Sequence, residues 1–261
     1  AAVKQNVSAL QYVSEDLKAD TDFMLAAVKQ NGDALAYTSE ELRNDPKIVL
    51  LAVQQDGDNL QFASPELKAD KEIVLEAVQQ NGMALQFVSP ELREDRDVVL
   101  AAVRLNGLAL GYASEELRND PEIVLSAMQQ NRFALMFAHR DLVLEAVQQD
   151  GHNLQWASSK LKDDREIVSE AVKQNGAALH YAPEHLKDDR EIVLAAVQQN
   201  GRALIHASLK LRRDIEIVLA AVLKDVSTFC YVREEFKTDT YFMLAAVKQN
   251  GLALQYAPEE L

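Results

Sequence analysis

A valine, replaced once by methionine, returns along this chain at a nearly constant interval. Ten intervals separate eleven positions: nine span 25 residues, and the one between Met128 and Val147 spans 19. A fixed period of this size is typical of repeat proteins, in which each unit packs mainly on its neighbours. The positions are Val3, Val28, Val53, Val78, Val103, Met128, Val147, Val172, Val197, Val222 and Val247.

An aspartate precedes the first predicted helix of each repeat. In the repeat Asp70–Glu94, Asp70 is followed by the apolar pattern Ile73-Val74-Leu75-x-Ala77-Val78. An oxygen at this place accepts from a first-turn N–H and contributes about 1 kcal/mol, so we predict helix N-caps. A ladder of metal-binding aspartates is the weaker alternative, because no oxygen-rich loop surrounds the column. The column is Asp20, Asp45, Asp70, Asp95, Asp120, Asp164, Asp189, Asp214 and Asp239.

The pair Asn81-Gly82 ends the first helix of the same repeat. Only aspartate replaces the asparagine in other repeats, which favours a cap that opens a second, short helix. The glycine predicts a positive φ at this joint. Ser89-Pro90-Glu91-Leu92 then predicts a third, capped turn. The fold class is therefore all-α, an α-solenoid of about ten to eleven 25-residue repeats whose hand stays open.

An aromatic residue closes the second predicted helix in ten of the eleven repeats. At one ring per repeat, we expect a stack buried between layers. A platform for stacking nucleic-acid bases would use the same residue types but needs a basic groove. The column is Tyr12, Tyr37, Phe62, Phe87, Tyr112, Phe137, Trp156, Tyr181, His206, Tyr231 and Tyr256.

The shortened interval locates a repeat that lacks six linker residues. Phe137–Leu142 matches Tyr112–Leu117, yet Val143-Leu144 follows at once. We expect one solenoid domain over residues 1–261, with a local irregularity at 138–144. A tolerated deletion and a bend that shapes a groove both stay open, with the first favoured. Neither end has a clearly polar outer face, so we expect it to be uncapped at both ends.

The string Glu191–Gly201, followed by Ala-Leu and then by Tyr/Phe-Ala-Ser-x-Glu-Leu, recurs with small changes along the chain. It resembles the tandem-repeat family called domain of unknown function 4116, whose unit spans two 25-residue motifs. The resemblance covers essentially the whole chain and departs from the pattern at 138–144 and at Val7, Arg132 and Val226, which replace the glycine. It implies an all-helical repeat and no particular activity, cofactor or catalytic residue.

The formal net charge of −14 argues against a nucleic-acid partner, since phosphate binding needs clustered Lys and Arg. No apolar run is long enough to predict membrane insertion. The single cysteine, Cys230, excludes an intramolecular disulfide framework and leaves the compartment unknown.

Residues with catalytic potential are scattered. His180 and His185 are five apart, which does not match the spacing of a helical metal pair, and His206 falls in the aromatic column. No serine, nor Cys230, has an activating base nearby in sequence. We therefore expect no catalytic residue, no metal and no cofactor.

The position after the joint glycine varies most, and variable columns of a repeat array face solvent or partners. Met83, Leu108 and Phe133 occupy it in three successive repeats, and His152 and Arg202 in later ones. If the column is exposed, these five residues form a partner-binding ridge. The alternative is that the position is half-buried against the next repeat.

These observations predict a non-enzymatic protein-interaction or assembly scaffold, which could be a structural subunit of a larger complex. The alternative is a binding or targeting module of a larger or secreted effector-type protein. An enzyme with a site near 138–144 is a third and weaker possibility, because spatial constellations can escape sequence analysis. The sequence does not identify the protein partner.

Overall fold

Every regular element of the computed structural model is helical within residues 6–258, which are the residues that it describes. The prediction of an all-α repeat array is confirmed. Val3, the first member of the valine series, lies outside this range. The chain forms two compact units, Ala1–His139 and Arg140–Leu261, which divide at the shortened repeat. The prediction of a single domain over 1–261 stays a prediction.

A complete repeat consists of an α-helix, a six-residue 3₁₀ helix and a third turn. We number the longer α-helices α1–α10 in chain order: Thr21–Gln30, Pro46–Val53, Lys71–Gln80, Arg96–Leu105, Pro121–Gln130, Arg140–Gln149, Arg165–Gln174, Arg190–Gln199, Ile215–Lys224 and Thr240–Gln249. The 3₁₀ helices η1–η11 are Val7–Tyr12, Gly32–Tyr37, Gly57–Phe62, Gly82–Phe87, Gly107–Tyr112, Arg132–Phe137, Gly151–Trp156, Gly176–Tyr181, Gly201–His206, Val226–Tyr231 and Gly251–Tyr256.

The third turn takes three forms. It is a four-residue α-helix in some repeats, a three-residue 3₁₀ helix in others, and a hydrogen-bonded turn at residues 90–93. The α-helical turns are Glu15–Lys18, Glu40–Arg43, Ser159–Lys162 and Glu234–Lys237, and the 3₁₀ turns are Leu67–Ala69, Leu117–Asn119, Leu186–Asp188 and Leu211–Arg213.

Side-chain caps begin the α-helices that follow the aspartate column and the 3₁₀ helices that follow the joints, as predicted. All nine aspartates of the N-cap column accept a hydrogen bond from the first turn of their α-helix. The joint residues cap the 3₁₀ helices, as when Asn81 Oδ1 accepts from the Met83 N–H at 3.0 Å. Asn81 has extended backbone angles, so one residue ends α3 and opens η4.

Layers stack in the same order within each unit. Successive α-helices pack on one another, and so do successive 3₁₀ helices. Val74 and Val78 of α3 are completely buried, as are Ala84 and Leu85 of η4. Isolated helices this short are marginal in water, so burial between repeats supplies most of their stability.

The prediction of a positive φ at the joint glycines is wrong. No glycine among the described residues has a positive φ. A Cβ added to Gly176 would instead lie 2.2 Å from the carbonyl oxygen of Ala196 in the next α-helix. The glycine is required because two backbones approach closely, which is its other common use. Where Val7 and Val226 replace glycine, the 3₁₀ helix makes only slight contact with the next α-helix.

The prediction of a buried aromatic stack is also wrong. Phe87, Tyr112 and Tyr181 are half-buried, and Tyr12 and Tyr231 are exposed. A 3₁₀ helix has three residues per turn, so residues three apart share a face. In η4 and the residue after it, Leu85 and Val88 take the buried face, which leaves Phe87 at the rim.

A backbone hydrogen bond joins consecutive third turns in the first unit. The Ser64 N–H donates to the Arg43 carbonyl at 3.0 Å, and Ser39, Ser89 and Ser114 make the equivalent bond. The basic side chain folds back on its own repeat, since Arg43 Nη2 donates to the Ala36 carbonyl at 2.7 Å. Each third turn thus holds the end of its own 3₁₀ helix and the start of the next third turn.

The shortened repeat merges two positions into one. The His139 N–H donates to the Arg118 carbonyl at 3.2 Å, which is the bond that Ser114 makes one repeat earlier. Only Ala138 and His139 separate η6 from α6, so His139 also stands where an aspartate precedes other α-helices. The six missing residues are therefore the third turn and the cap. The predicted bend stays a prediction.

The close approach at the joint predicts a position-dependent cost of glycine replacement. We expect Gly176→Ala to lower the free energy of unfolding by about 1–3 kcal/mol, because its Cβ meets backbone atoms that cannot rotate away. Gly251→Ala is the matched control, since no atom lies within 4 Å of its added Cβ. Urea denaturation followed by circular dichroism measures both; equal effects would contradict the steric explanation.

Candidate functional site

Each unit has two edges, set by the two ends of its α-helices. The first-turn edge holds the aspartate caps, and the joint edge holds the Asn-Gly joints and the starts of the 3₁₀ helices. A ten-residue α-helix separates them by about 15 Å. The candidate ridge residues all belong to the joint edge.

Ion pairs run from repeat to repeat along the first-turn edge. The first residue of one α-helix pairs with the cap and with the second residue of the next α-helix, as in Arg140 with Asp164 at 2.8 Å and Glu166 at 2.5 Å. The hydrogen bond from Arg140 holds the pKa of Asp164 below its usual value. The same arrangement recurs at Lys71–Asp95–Asp97, Arg96–Asp120–Glu122, Arg165–Asp189–Glu191 and Arg190–Asp214–Glu216.

Sequence reasoning missed this ladder of ion pairs, although its signal is present. A basic residue follows the column aspartate in these repeats, and two acidic residues lie 24 and 26 positions after it. This spacing would have predicted the ladder. Exposed ion pairs contribute little to stability. The ladder nevertheless engages much of the acidic charge on this edge within the array, which makes the edge less suitable for a partner.

Side chains on the joint edge reach toward neighbouring joints in both directions. Two glutamines that directly precede a joint reach back: Gln55 Oε1 accepts from the Gly32 N–H at 2.9 Å, and Gln199 does the same for Gly176 at 2.6 Å. The residue after the joint glycine reaches forward, as when Arg202 Nε donates to Asp225 Oδ2 at 3.1 Å. Contacts between neighbouring joints are therefore made in both directions along this edge.

The five ridge residues fall in different surroundings. Met83, Leu108 and Phe133 lie on the consecutive helices η4, η5 and η6 of the first unit, where Met83 and Leu108 are half-buried and Phe133 is 54% exposed. His152 and Arg202 belong to η7 and η9 of the second unit, and both are exposed. The His152 ring meets the side chain of Asn175. The ridge as a binding surface stays a prediction.

Leu105 is a further apolar residue of the joint edge that the sequence interpretation overlooked. It ends α4, at the position where Gln55 and Gln199 close the preceding joint, and it is 51% exposed. Leucine has no amide, so it cannot make the bond to the Gly82 N–H that glutamine makes elsewhere. The sequence shows this exception, because most repeats carry glutamine at the position of Leu105.

The acidic residues of the joint edge differ between the two units in whether a basic side chain pairs with them. In the second unit, Asp225 pairs with Arg202, and Asp150 lies 3.7 Å from His152. In the first unit, no basic side chain of the described chain pairs with Asp33, Asp56 or Asp58. One carboxylate oxygen of Asp58 is buried and has no hydrogen-bond partner, and burial and the Asp56 charge raise the pKa of Asp58.

A surface groove between third turns of the first unit is a weak candidate for a binding site. It encloses about 750 Å³ between the third turns near Glu41 and Glu66, and its polar walls are bonded to each other. Ser64 Oγ donates to Asn44 Oδ1 at 2.7 Å, and Lys68 Nζ donates to the Gln61 carbonyl at 2.7 Å. Among residues 6–258, no three His, Cys, Asp or Glu side chains are grouped so that they could hold a metal ion.

Two of the five histidines meet across a repeat boundary. The rings of His180 and His206 have centroids 4.8 Å apart. Burial, then the charges of His180 and Lys187, lower the pKa of His206. Cys230 is exposed.

His206 should therefore make the fold sensitive to mild acid. Because its pKa is lower in the folded chain than in the unfolded chain, neutral His206 favours folding. This stability is complete above the unfolded pKa near 6.5 and is lost as the pH falls toward the folded pKa. We expect His206→Tyr, the residue type of neighbouring repeats, to gain melting temperature over the wild type below about pH 6.5. His180→Gln should reduce the loss in part; identical pH profiles for all three proteins would refute this.

Comparisons with known proteins support the family and nothing finer. Within residues 6–258, no helix is long and apolar enough to cross a bilayer. No curated protein and no solved structure matches the chain. The model of the family described as Domain of unknown function (DUF4116) matches six times, at residues 1–43, 45–93, 95–139, 139–187, 170–212 and 189–237. This chain belongs to that family of tandem helical repeats.

Proposed function

We propose that this chain is a non-enzymatic protein-interaction scaffold, and that it binds its partner at the joint edge of the first unit. The observation that supports this most is a change from polar to apolar side chains along this edge. Columns that carry Asp33, Gln55 and Asp58 in the preceding repeats carry apolar residues in the following ones, namely Met83, Leu105, Leu108 and Phe133.

Nothing in the repeat itself requires apolar residues at these places. Gln55 and Gln199 show that an amide directly before a joint can close the preceding joint. Leu105 gives up that bond and leaves about half of its surface to water. Exposed apolar residues that gather in one region are typical of protein contacts.

The remaining surfaces favour a scaffold over other functions. The ladder of ion pairs and the capping bonds engage most of the polar groups that repeat, so these groups have structural roles. The net charge of −14 disfavours nucleic-acid partners. A protein partner, within a multi-subunit assembly, fits an array whose repeats each add a similar strip of surface.

Site-specific photo-cross-linking tests the proposal. A benzophenone amino acid replaces Leu105 in one protein and Gln149, the equivalent residue of α6, in its control, and each is irradiated in an extract of the native source. We expect a discrete adduct from position 105 only. The captured protein, once purified, should bind the wild type and lose affinity at least tenfold for the Leu105→Gln variant.

Leu105→Gln restores the residue type found at this position in most repeats, so it should keep the fold. Its helical circular dichroism and urea midpoint are the controls. Adducts of equal strength at both positions, or a purified partner that binds Leu105→Gln as well as the wild type, would contradict the proposed surface.

A further inference from the structure

The chemistry of the joint edge also indicates what kind of partner it fits. Building on the proposed function, we infer that the first unit binds an extended protein segment with basic residues at one end and spaced apolar residues after them. The basic end lies over Asp33, Asp56 and Asp58, and the apolar residues lie over Met83, Leu105 and Leu108.

The acidic end of this surface lacks positive charge of its own. Residues 1–139 contain 22 acidic and 12 basic side chains. The second unit supplies Arg202 to Asp225 within the array, whereas no described side chain supplies a cation to Asp56 or Asp58. The buried, unpartnered oxygen of Asp58 marks a carboxylate that a guanidinium or ammonium group would stabilise.

The apolar part follows from how side chains fill the gaps between joints. At this edge Gln55, directly before a joint, reaches back, and Arg202, directly after a joint glycine, reaches forward. By that geometry we place Leu105 of α4 and Met83 of η4 at the two sides of the same gap. Leu108 then belongs to the next gap.

The spacing of the repeats favours an extended segment. Packed helices lie about 8–10 Å apart, and an extended chain in the polyproline II conformation has three residues per turn and advances about 3.1 Å per residue. Side chains at every third residue of such a segment therefore share one face and meet successive gaps. Because Leu105 presents no amide to the Gly82 N–H, a carbonyl of an extended backbone can accept that bond, whereas the carbonyls of a helix are already satisfied.

Fluorescence anisotropy with designed peptides tests this inference. The probe is an eleven-residue peptide with two arginines and then leucine, leucine and phenylalanine at every third residue, with serine and glycine between. It is made in both chain directions, because the edge does not fix polarity. We expect the wild type to bind one of the two probes, and added salt to weaken that binding.

The variants use residue types that the chain itself carries at equivalent positions. Asp56→Asn with Asp58→Ala should weaken binding about tenfold, and Leu105→Gln with Leu108→Ala should do the same, which corresponds to about 1.4 kcal/mol each. Asn31 occupies the position equivalent to Asp56, and Gln55 the position equivalent to Leu105. Ala177 occupies the position equivalent to both Asp58 and Leu108. A probe with aspartates in place of the arginines should not bind.

Several results would overturn the inference. This partner chemistry is excluded if neither probe binds or if both variants bind like the wild type. It is also excluded if the acidic probe binds equally well. Concentration-dependent dimerisation that Leu105→Gln abolishes, seen by sedimentation velocity, would assign the surface to a second copy. If position 105 cross-links a partner while the probes fail, the scaffold function stands and only the chemistry of the segment is wrong.

Discussion

The contact between a joint glycine and an alanine carbonyl of the next α-helix determines how the repeats stack. At six joints an added Cβ would fall 2.2–2.4 Å from that oxygen, so the 3₁₀ layer and the α layer approach as closely as their backbones allow. Alanine, valine, leucine and isoleucine side chains fill the space between layers. The rings of the aromatic column lie at the rims.

The sequence predicted those parts of the repeat whose cause is local. Asp70 and Asn81 were assigned as caps because a cap depends on its own first turn, and both assignments are confirmed. The reasons given for Gly82 and for the burial of Phe87 were wrong, because both depend on the neighbouring repeat or on the 3₁₀ geometry of the second helix. The ion pairs of Arg140 join residues more than 20 positions apart, which a reading of one repeat cannot show.

The candidate site was predicted in part for the same reason. A variable column pointed to Met83, Leu108 and Phe133, since variation is visible in sequence. The role of Leu105 required knowing that Gln55 closes the preceding joint, and the contrast between Asp58 and Asp225 required knowing which acids find a basic partner. In such an array a candidate site is recognised where a residue departs from the others of its column, and the reason for the column is known only once its contacts are seen.

The merged position at His139 shows which lengths of chain this architecture can lose. His139 makes the backbone bond of one repeat, and Arg140 makes the ion pairs of the next, so both anchoring points survive the loss of six residues. The chain can therefore lose the six residues between these two anchoring points without losing a whole repeat. Such a deletion shortens one interval of the sequence, and the repeats that follow keep their own contacts.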